Sequence, residues 1–157
     1  MIDSIARVLE ELGTQSALEK SRKIDVSPED RMLAITKETG ELINMILRLI
    51  NAKNMLEVGM SAGYSTLWAA EVISEGSGKI ITIEKNPNKI KRAKESFEKA
   101  GVKETIIIKQ GLAKSVLVEL NLQKEYRNFF DFVLIDADKE KVIEYFDLIL
   151  PMVSVGG

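Results

Sequence analysis

Residues 57–66 read Glu57-Val58-Gly59-Met60-Ser61-Ala62-Gly63-Tyr64-Ser65-Thr66, and the fold turns on how that stretch is read. Residues 55–58 are a short apolar run that stops at Gly59, which predicts a strand entering a glycine turn. Leu67, Trp68, Ala70 and Val72 then follow at helical spacing over 64–74. Gly59-Met60-Ser61-Ala62-Gly63 is also, formally, the G-x-S-x-G elbow of serine hydrolases. That alternative needs a base for Ser61; the chain contains no histidine, but in hydrolases of that fold the histidine comes last in the sequence, so position argues harder. It also needs a central strand before the elbow, whereas this turn follows the first strand. Ser61 is therefore read as a turn residue.

Outward from this unit the pattern alternates. Gly76-Ser77-Gly78 is a turn, and Lys79–Glu84 holds Ile80, Ile81 and Ile83, a second strand. Asn86-Pro87 opens a helix with the stripe Ile90, Ala93, Phe97 and Ala100, closed by Gly101. Residues 105–109 form a third strand, 112–120 a helix, Phe132–Ile135 a fourth strand and 139–150 a helix. The isoleucine-rich strands do not alternate with polar residues, so both faces are covered. The expected fold is α/β, a doubly wound, Rossmann-like parallel sheet with N-terminal helices. Ahead of it, Ile2, Ile5, Val8, Leu9 and Leu12 predict a helix ended by Gly13, with 14–26 a loop or loose helix. Ser27-Pro28 predicts a helix start, and a second start near 36–40 leads into a largely buried helix. Residues 1–157 read as one domain, 1–51 being N-terminal helices and 52–157 the first four β-α units. Ser154-Val155-Gly156-Gly157 looks like the turn into a fifth strand, so the chain is expected to be part of a longer protein.

Composition narrows the chemistry. The formal net charge of −2 creates no global attraction to nucleic acid or membrane. With no cysteine and no histidine, disulfides, thiol nucleophiles and zinc-thiolate sites are excluded. No basic leader and no run of transmembrane length occur, so the expected location is cytoplasmic.

In open parallel sheets ligands bind at the carboxyl ends of the strands. Here those ends carry Glu57-Val58-Gly59, Glu84, Gly111-Leu112-Ala113 and Asp136-Ala137-Asp138-Lys139. A dinucleotide fingerprint is incomplete, because Ser61 takes the place of the middle glycine. Glu84 still stands where a carboxylate can take ribose hydroxyls. The combination suits a ligand with a ribose and no pyrophosphate, such as S-adenosylmethionine. Its carboxylate would lie at the helix start near Tyr64-Ser65 and its ammonium near Glu57. Carboxylates without His or Cys at Asp136 and Asp138 suit a hard divalent cation such as Mg²⁺. Lys139 beside them could take a proton from an acceptor hydroxyl or steady an oxyanion.

With these residues placed, the chain resembles the cation-dependent O-methyltransferases, the family of catechol and caffeoyl-CoA O-methyltransferases. The resemblance runs from about Ser27 to the last residue. It rests on Leu49 through Gly59 followed by Gly63-Tyr64-Ser65, and on Phe132-Val133-Leu134-Ile135-Asp136-Ala137-Asp138-Lys139. It implies that Glu57, Gly59 and Ser65 line the methionine side of S-adenosylmethionine, that Glu84 holds the ribose, and that Leu112 and Ala113 border the adenine. Asp136 would be a metal ligand close to the cofactor, and Lys139 the catalytic lysine. Many relatives have Asp at the position of Leu112 and Tyr at that of Val142, while Tyr145 fits a second aromatic position. The family's Asp-Asn pair, which completes the metal site, falls after the last residue shown.

The implied function is metal-assisted methyl transfer to a hydroxyl of a catechol-like or phenolic small molecule, with room for a homodimer in a full-length protein and no membrane partner. One alternative is a tRNA-modifying relative acting on a hydroxylated wobble uridine, its phosphates touched by Lys85, Lys89, Lys91, Arg92, Lys94, Lys99 and Lys103. Others are a nicotinamide-dependent oxidoreductase and a non-catalytic cofactor-binding module.

Overall fold

The computed structural model describes residues 3–157, so the expectation for Ile2 lies outside the described residues. Four strands, β1 (Asn54–Val58), β2 (Lys79–Glu84), β3 (Ile106–Gln110) and β4 (Phe132–Ile135), form one sheet in the order β3-β2-β1-β4. Every pairing between them is parallel. Helices α1 (Asp3–Lys20), α2 (Lys37–Leu49), α3 (Tyr64–Glu75) and α4 (Pro87–Ala100) cover one face, over Met55, Ile80 and Ile106. Helices α5 (Ala113–Leu122) and α6 (Val142–Ile149) cover the other, over Leu56, Val58, Ile81 and Ile83. Successive strand residues thus feed opposite cores, which is why their sequence is apolar throughout. The strand order reverses beside β1, which becomes the place to look for a ligand.

Local chemistry sets the element ends. The Asn86 side chain accepts the N–H groups of Asn88 and Lys89, Pro87 occupies the first turn, and Gly101 ends α4 at φ 75°. Thr36 caps α2, its side chain accepting the N–H of Thr39.

Four expectations need correction. Helix α1 runs through Gly13 to Lys20, because its second half also packs inward, with Ser16 and Glu19 buried. Ser27-Pro28 begins a turn rather than a helix. The Ser27 hydroxyl donates to Asp30 and the Asp30 N–H to the Ser27 carbonyl, while Asn86 and Asn88 claim the Asp30 carboxylate. Helix α2 is amphipathic, not largely buried: only Gly40, Ile43 and Leu47 are inside, and Met45 and Leu49 are 66% and 86% exposed. Contact with α3 is through Gly40, where an added Cβ would lie 2.3 Å from the Trp68 indole. The 139–150 segment is a 3₁₀ turn, Lys139–Lys141, followed by α6. Past α6 the chain returns to the sheet, where Val153 makes one parallel bridge with Phe130.

A carboxylate clamps β4 to β1 at the opposite end from the expected ligand edge. Asp131 Oδ2 accepts the N–H groups of Lys53 (2.8 Å) and Asn54 (2.9 Å), Oδ1 accepts the Ser154 hydroxyl, and the Asp131 N–H donates to the Asn54 carbonyl. Burial raises the pKa of Asp131, but the N–H groups of Asn54 and Lys53, the Ser154 hydroxyl and the Lys53 charge together hold it below the ordinary aspartate value. A lowered folded-state pKa means the clamp contributes fully above about pH 4 and is lost as pH falls through the folded value. Asp131→Ala should lower the unfolding free energy at pH 7 by about 2–3 kcal/mol. Urea titrations at a series of pH values should show that gap shrinking below about pH 4. A gap independent of acid would contradict the clamp.

Candidate functional site

The carboxyl ends of β1, β2 and β4 meet at Gly59. Its φ is +97°, and an added Cβ would lie 2.1 Å from the Asp136 carbonyl oxygen, so only glycine fits where β4 passes the turn. The Gly59 and Met60 N–H groups both donate to the Ile83 carbonyl, which ties the turn to β2. Gly63, at φ +88°, is equally constrained, since a Cβ there would press on the Phe97 ring at 2.6 Å. It is the N-cap of α3 and offers no side-chain cap, so the first N–H groups of that helix face the edge without a side-chain acceptor.

Glu57 sits beneath this turn and is 0% exposed. Its carboxylate accepts three hydroxyls, from Ser65, Thr66 (2.6 Å) and Thr82 (2.6 Å). Burial pushes its pKa up, the three hydroxyls offset part of that rise, and the nearby Asp136 charge adds to it. Glu57 and Ser65 are therefore one buried unit in which Ser65 stands between the carboxylate and the edge.

Glu84, at the end of β2, is half-buried and turned back toward the Gly59 turn. Its Oε2 accepts the Ser61 N–H at 2.8 Å, and its Oε1 accepts the N–H groups of Lys85 and Asn86 at 3.0 Å each. A carboxylate offers about four acceptor places. Three are filled from the backbone, leaving about one, on Oε2, for an incoming hydroxyl. Leu112 is 63% exposed at the start of α5, with Ala113 half-buried beside it.

At the end of β4, Asp136 has a side chain 38% exposed, and the Lys139 ammonium lies 3.7 Å from its Oδ1. Asp138 does not cap the following turn, because its carboxylate accepts the buried Tyr145 hydroxyl at 3.0 Å. Among the described residues no group of three or more Asp, Glu, His or Cys converges on a cation position. A groove of about 1180 Å³ lies elsewhere, along α3 between α1 and α2. In the basic stretch 85–103, Lys89 is buried and Arg92 pairs with the buried Glu19, while Lys99 and Lys103 pair at the surface with Glu11 and Glu98.

Comparison with known proteins identifies the family. The model of an O-methyltransferase family matches residues 10–157. The chain belongs to that O-methyltransferase family. It is 34% identical over 141 residues to caffeoyl-CoA O-methyltransferase 5 of Nicotiana tabacum, covering 90% of this chain and 58% of the relative. The caffeoyl-CoA O-methyltransferase of Petroselinum crispum is 33% identical over the same shares. Among solved structures, the O-methyltransferase from Bacillus cereus in complex with SAH has 25% identity and a TM-score of 0.74, over 98% of this chain and 62% of that one. TomG from Streptomyces achromogenes in complex with SAM, involved in tomaymycin synthesis, has 26% identity and a TM-score of 0.76, over 98% and 61%. The chain thus spans about three fifths of the length of the relatives it matches. No helix among the described residues is long and apolar enough to cross a membrane.

Within this family fold the structure brings Glu57, Gly59, Ser65, Glu84, Asp136 and Lys139 to one edge. Thr66 and Thr82, which hold Glu57, were not singled out in the sequence. Thr82 had a signal, being the polar residue inside the run Ile80-Ile81-Thr82-Ile83. A raised folded-state pKa means that any stability Glu57 contributes is complete below the ordinary glutamate value of about 4.3 and is lost as pH rises through the folded value. Glu57→Gln cannot titrate. Its stability relative to the unaltered chain should therefore improve from pH 4.5 to pH 8 in urea unfolding; a difference that stays flat would contradict the buried carboxylate.

Proposed function

We propose that this chain is the S-adenosylmethionine-binding part of an O-methyltransferase that transfers a methyl group to a hydroxyl of a small catechol-like or phenolic acceptor. The observation that carries the proposal is the Glu84 carboxylate, held against the Gly59 turn with one acceptor place open, beside a helix α3 whose start has no side-chain cap. Those features fit the cofactor's ribose and carboxylate respectively. The Ser65 hydroxyl, polarised by Glu57, suits its ammonium, which would gain the buried charge without touching Glu57 itself. Leu112 and Ala113 would border the adenine. The neighbours crystallised with SAH and SAM support the cofactor, and the caffeoyl-CoA relatives support a small hydroxylated acceptor. Membership in this family gives the nicotinamide-dependent reading no support.

When bound, S-adenosylmethionine supplies an electrophilic methyl on a sulfonium. The chain's own task is to fix it at the strand ends and to place an acceptor oxygen in line with the methyl. Lys139, exposed and ion-paired with Asp136, brings a cationic head to where the acceptor hydroxyl loses its proton. A divalent cation would orient the acceptor oxygen and lower its pKa. Asp136 would be its ligand from this chain; Asp138 is engaged by Tyr145, and the described residues alone do not complete a cation site.

Calorimetry should detect S-adenosylhomocysteine binding, and labelled S-adenosylmethionine should give methyl transfer to catechol in the full-length protein. Lys139→Ala should lower kcat by about 100-fold or more with cofactor binding retained. Asp136→Ala and EDTA should each abolish metal-dependent turnover. Unchanged rates after both would reject metal assistance, and cofactor binding without transfer to any acceptor would point to a binding module.

A further inference from the structure

The segment between α1 and α2, residues 21–36, has no helix or strand of its own, yet it is fastened at several points to the cofactor edge proposed above. The Leu33 N–H donates to the Ser61 hydroxyl oxygen at 3.0 Å. The Asp30 carboxylate accepts the side-chain amides of Asn86 (2.8 Å) and Asn88 (3.1 Å), and its carbonyl accepts Arg92 at 2.9 Å. The Met32 N–H donates to the buried Glu19 carboxylate at 2.6 Å.

Two of these fastenings lead directly to Glu84. One runs through Ser61, whose N–H donates to Glu84 Oε2 while its hydroxyl holds Leu33. The other runs through Asn86, whose N–H donates to Glu84 Oε1 while its side chain holds Glu29 and Asp30. Ser61 adopts φ 51°, a left-handed conformation uncommon for serine, and that conformation accompanies its two hydrogen bonds to opposite sides of the edge. Among the described residues, Ser61 alone hydrogen-bonds both Glu84 and Leu33.

We infer that Ser61 is a positioning residue that couples cofactor binding at Glu84 to the docking of the 27–33 strap. The inference rests on the cofactor reading of Glu84. A ribose hydroxyl on Oε2 would share that oxygen with the Ser61 N–H, so the orientation of the carboxylate and that of Ser61 are set together. Coupling of this kind is reciprocal: a strap docked on Ser61 favours the bound ligand, and a bound ligand favours the docked strap. Loss of the hydroxyl removes one hydrogen bond whose net worth corresponds to about 2- to 10-fold in an equilibrium constant.

The test combines calorimetry with S-adenosylhomocysteine and amide hydrogen exchange at Met32 and Leu33. It compares the unaltered protein, Ser61→Gly and Ser61→Asn. Glycine keeps the left-handed backbone and removes the hydroxyl; asparagine tolerates the same backbone and restores a side-chain acceptor. In the unaltered protein, saturating S-adenosylhomocysteine should slow exchange at Leu33. Ser61→Gly should bind it about 2- to 10-fold more weakly and lose that added protection, with the Ala93 and Phe97 amides of α4 still protected. Ser61→Asn should recover both. Unchanged affinity and ligand-dependent protection in Ser61→Gly would overturn the coupling while leaving the cofactor reading intact. Failure of the unaltered protein to bind S-adenosylhomocysteine would overturn the cofactor reading, and the coupling with it.

Discussion

No side chain fits at residue 59. The end of β4 passes so close to the first strand-to-helix turn that a methyl group there would overlap the Asp136 carbonyl. This approach brings the acidic end of β4 against the turn that follows β1. It places Asp136, with Lys139 paired to it, beside the Gly59 turn and Glu84 across the same turn. Had β4 been held further off, the strand ends would carry the same acids without forming one edge. The glycine thus makes possible a juxtaposition that depends on the reversed strand order, β4 lying next to β1 although β2 and β3 intervene in the sequence.

Beneath the turn the constraint is electrostatic. A carboxylate removed from water is tolerated only when other groups replace its hydration. Glu57 has three hydroxyl donors, drawn from β2 and the first turn of α3. Those donors fix the height and rotation of α3 over the sheet. Ser65, in the first turn of α3, joins this polar core to the carboxyl edge of the sheet.

The sheet was largely legible in the sequence. Lys79–Glu84 and Phe132–Ile135 match their strands residue for residue, because short apolar runs closed off by Gly78 and Asn86-Pro87 in one case and by Asp131 and Asp136 in the other leave little choice of bounds. The start of α4 at Asn86-Pro87 was equally plain, whereas the start of α2 was bounded only to 36–40, within which Thr36 is the cap. What failed were places where distant contacts outweigh local preference. Gly13 did not end α1, because the next turn has its own buried positions. Ser27-Pro28 did not begin a helix, because Asp30 is recruited by Asn86 and Asn88, more than fifty positions away. At the edge, the acids at the strand ends were visible from position alone. The use of Ser61 was not: its hydroxyl binds a main-chain group 28 residues earlier, and no spacing rule encodes such a pair.

The Asp131 clamp has a consequence for the order in which the chain can assemble. Glu57 and Thr82, facing each other on β1 and β2, are 25 residues apart, whereas Asn54 and Asp131 are 77 apart. Loop-closure entropy rises only with the logarithm of length, so the longer closure costs about 1 kcal/mol more than the shorter. That deficit is comparable to one hydrogen bond, and Asp131 provides several at the moment β4 arrives. A single aspartate just before the strand can therefore offset the longer closure, and it fixes the pairing by the backbone groups it selects. A one-residue slip would turn Val133 and Ile135 toward the wrong core.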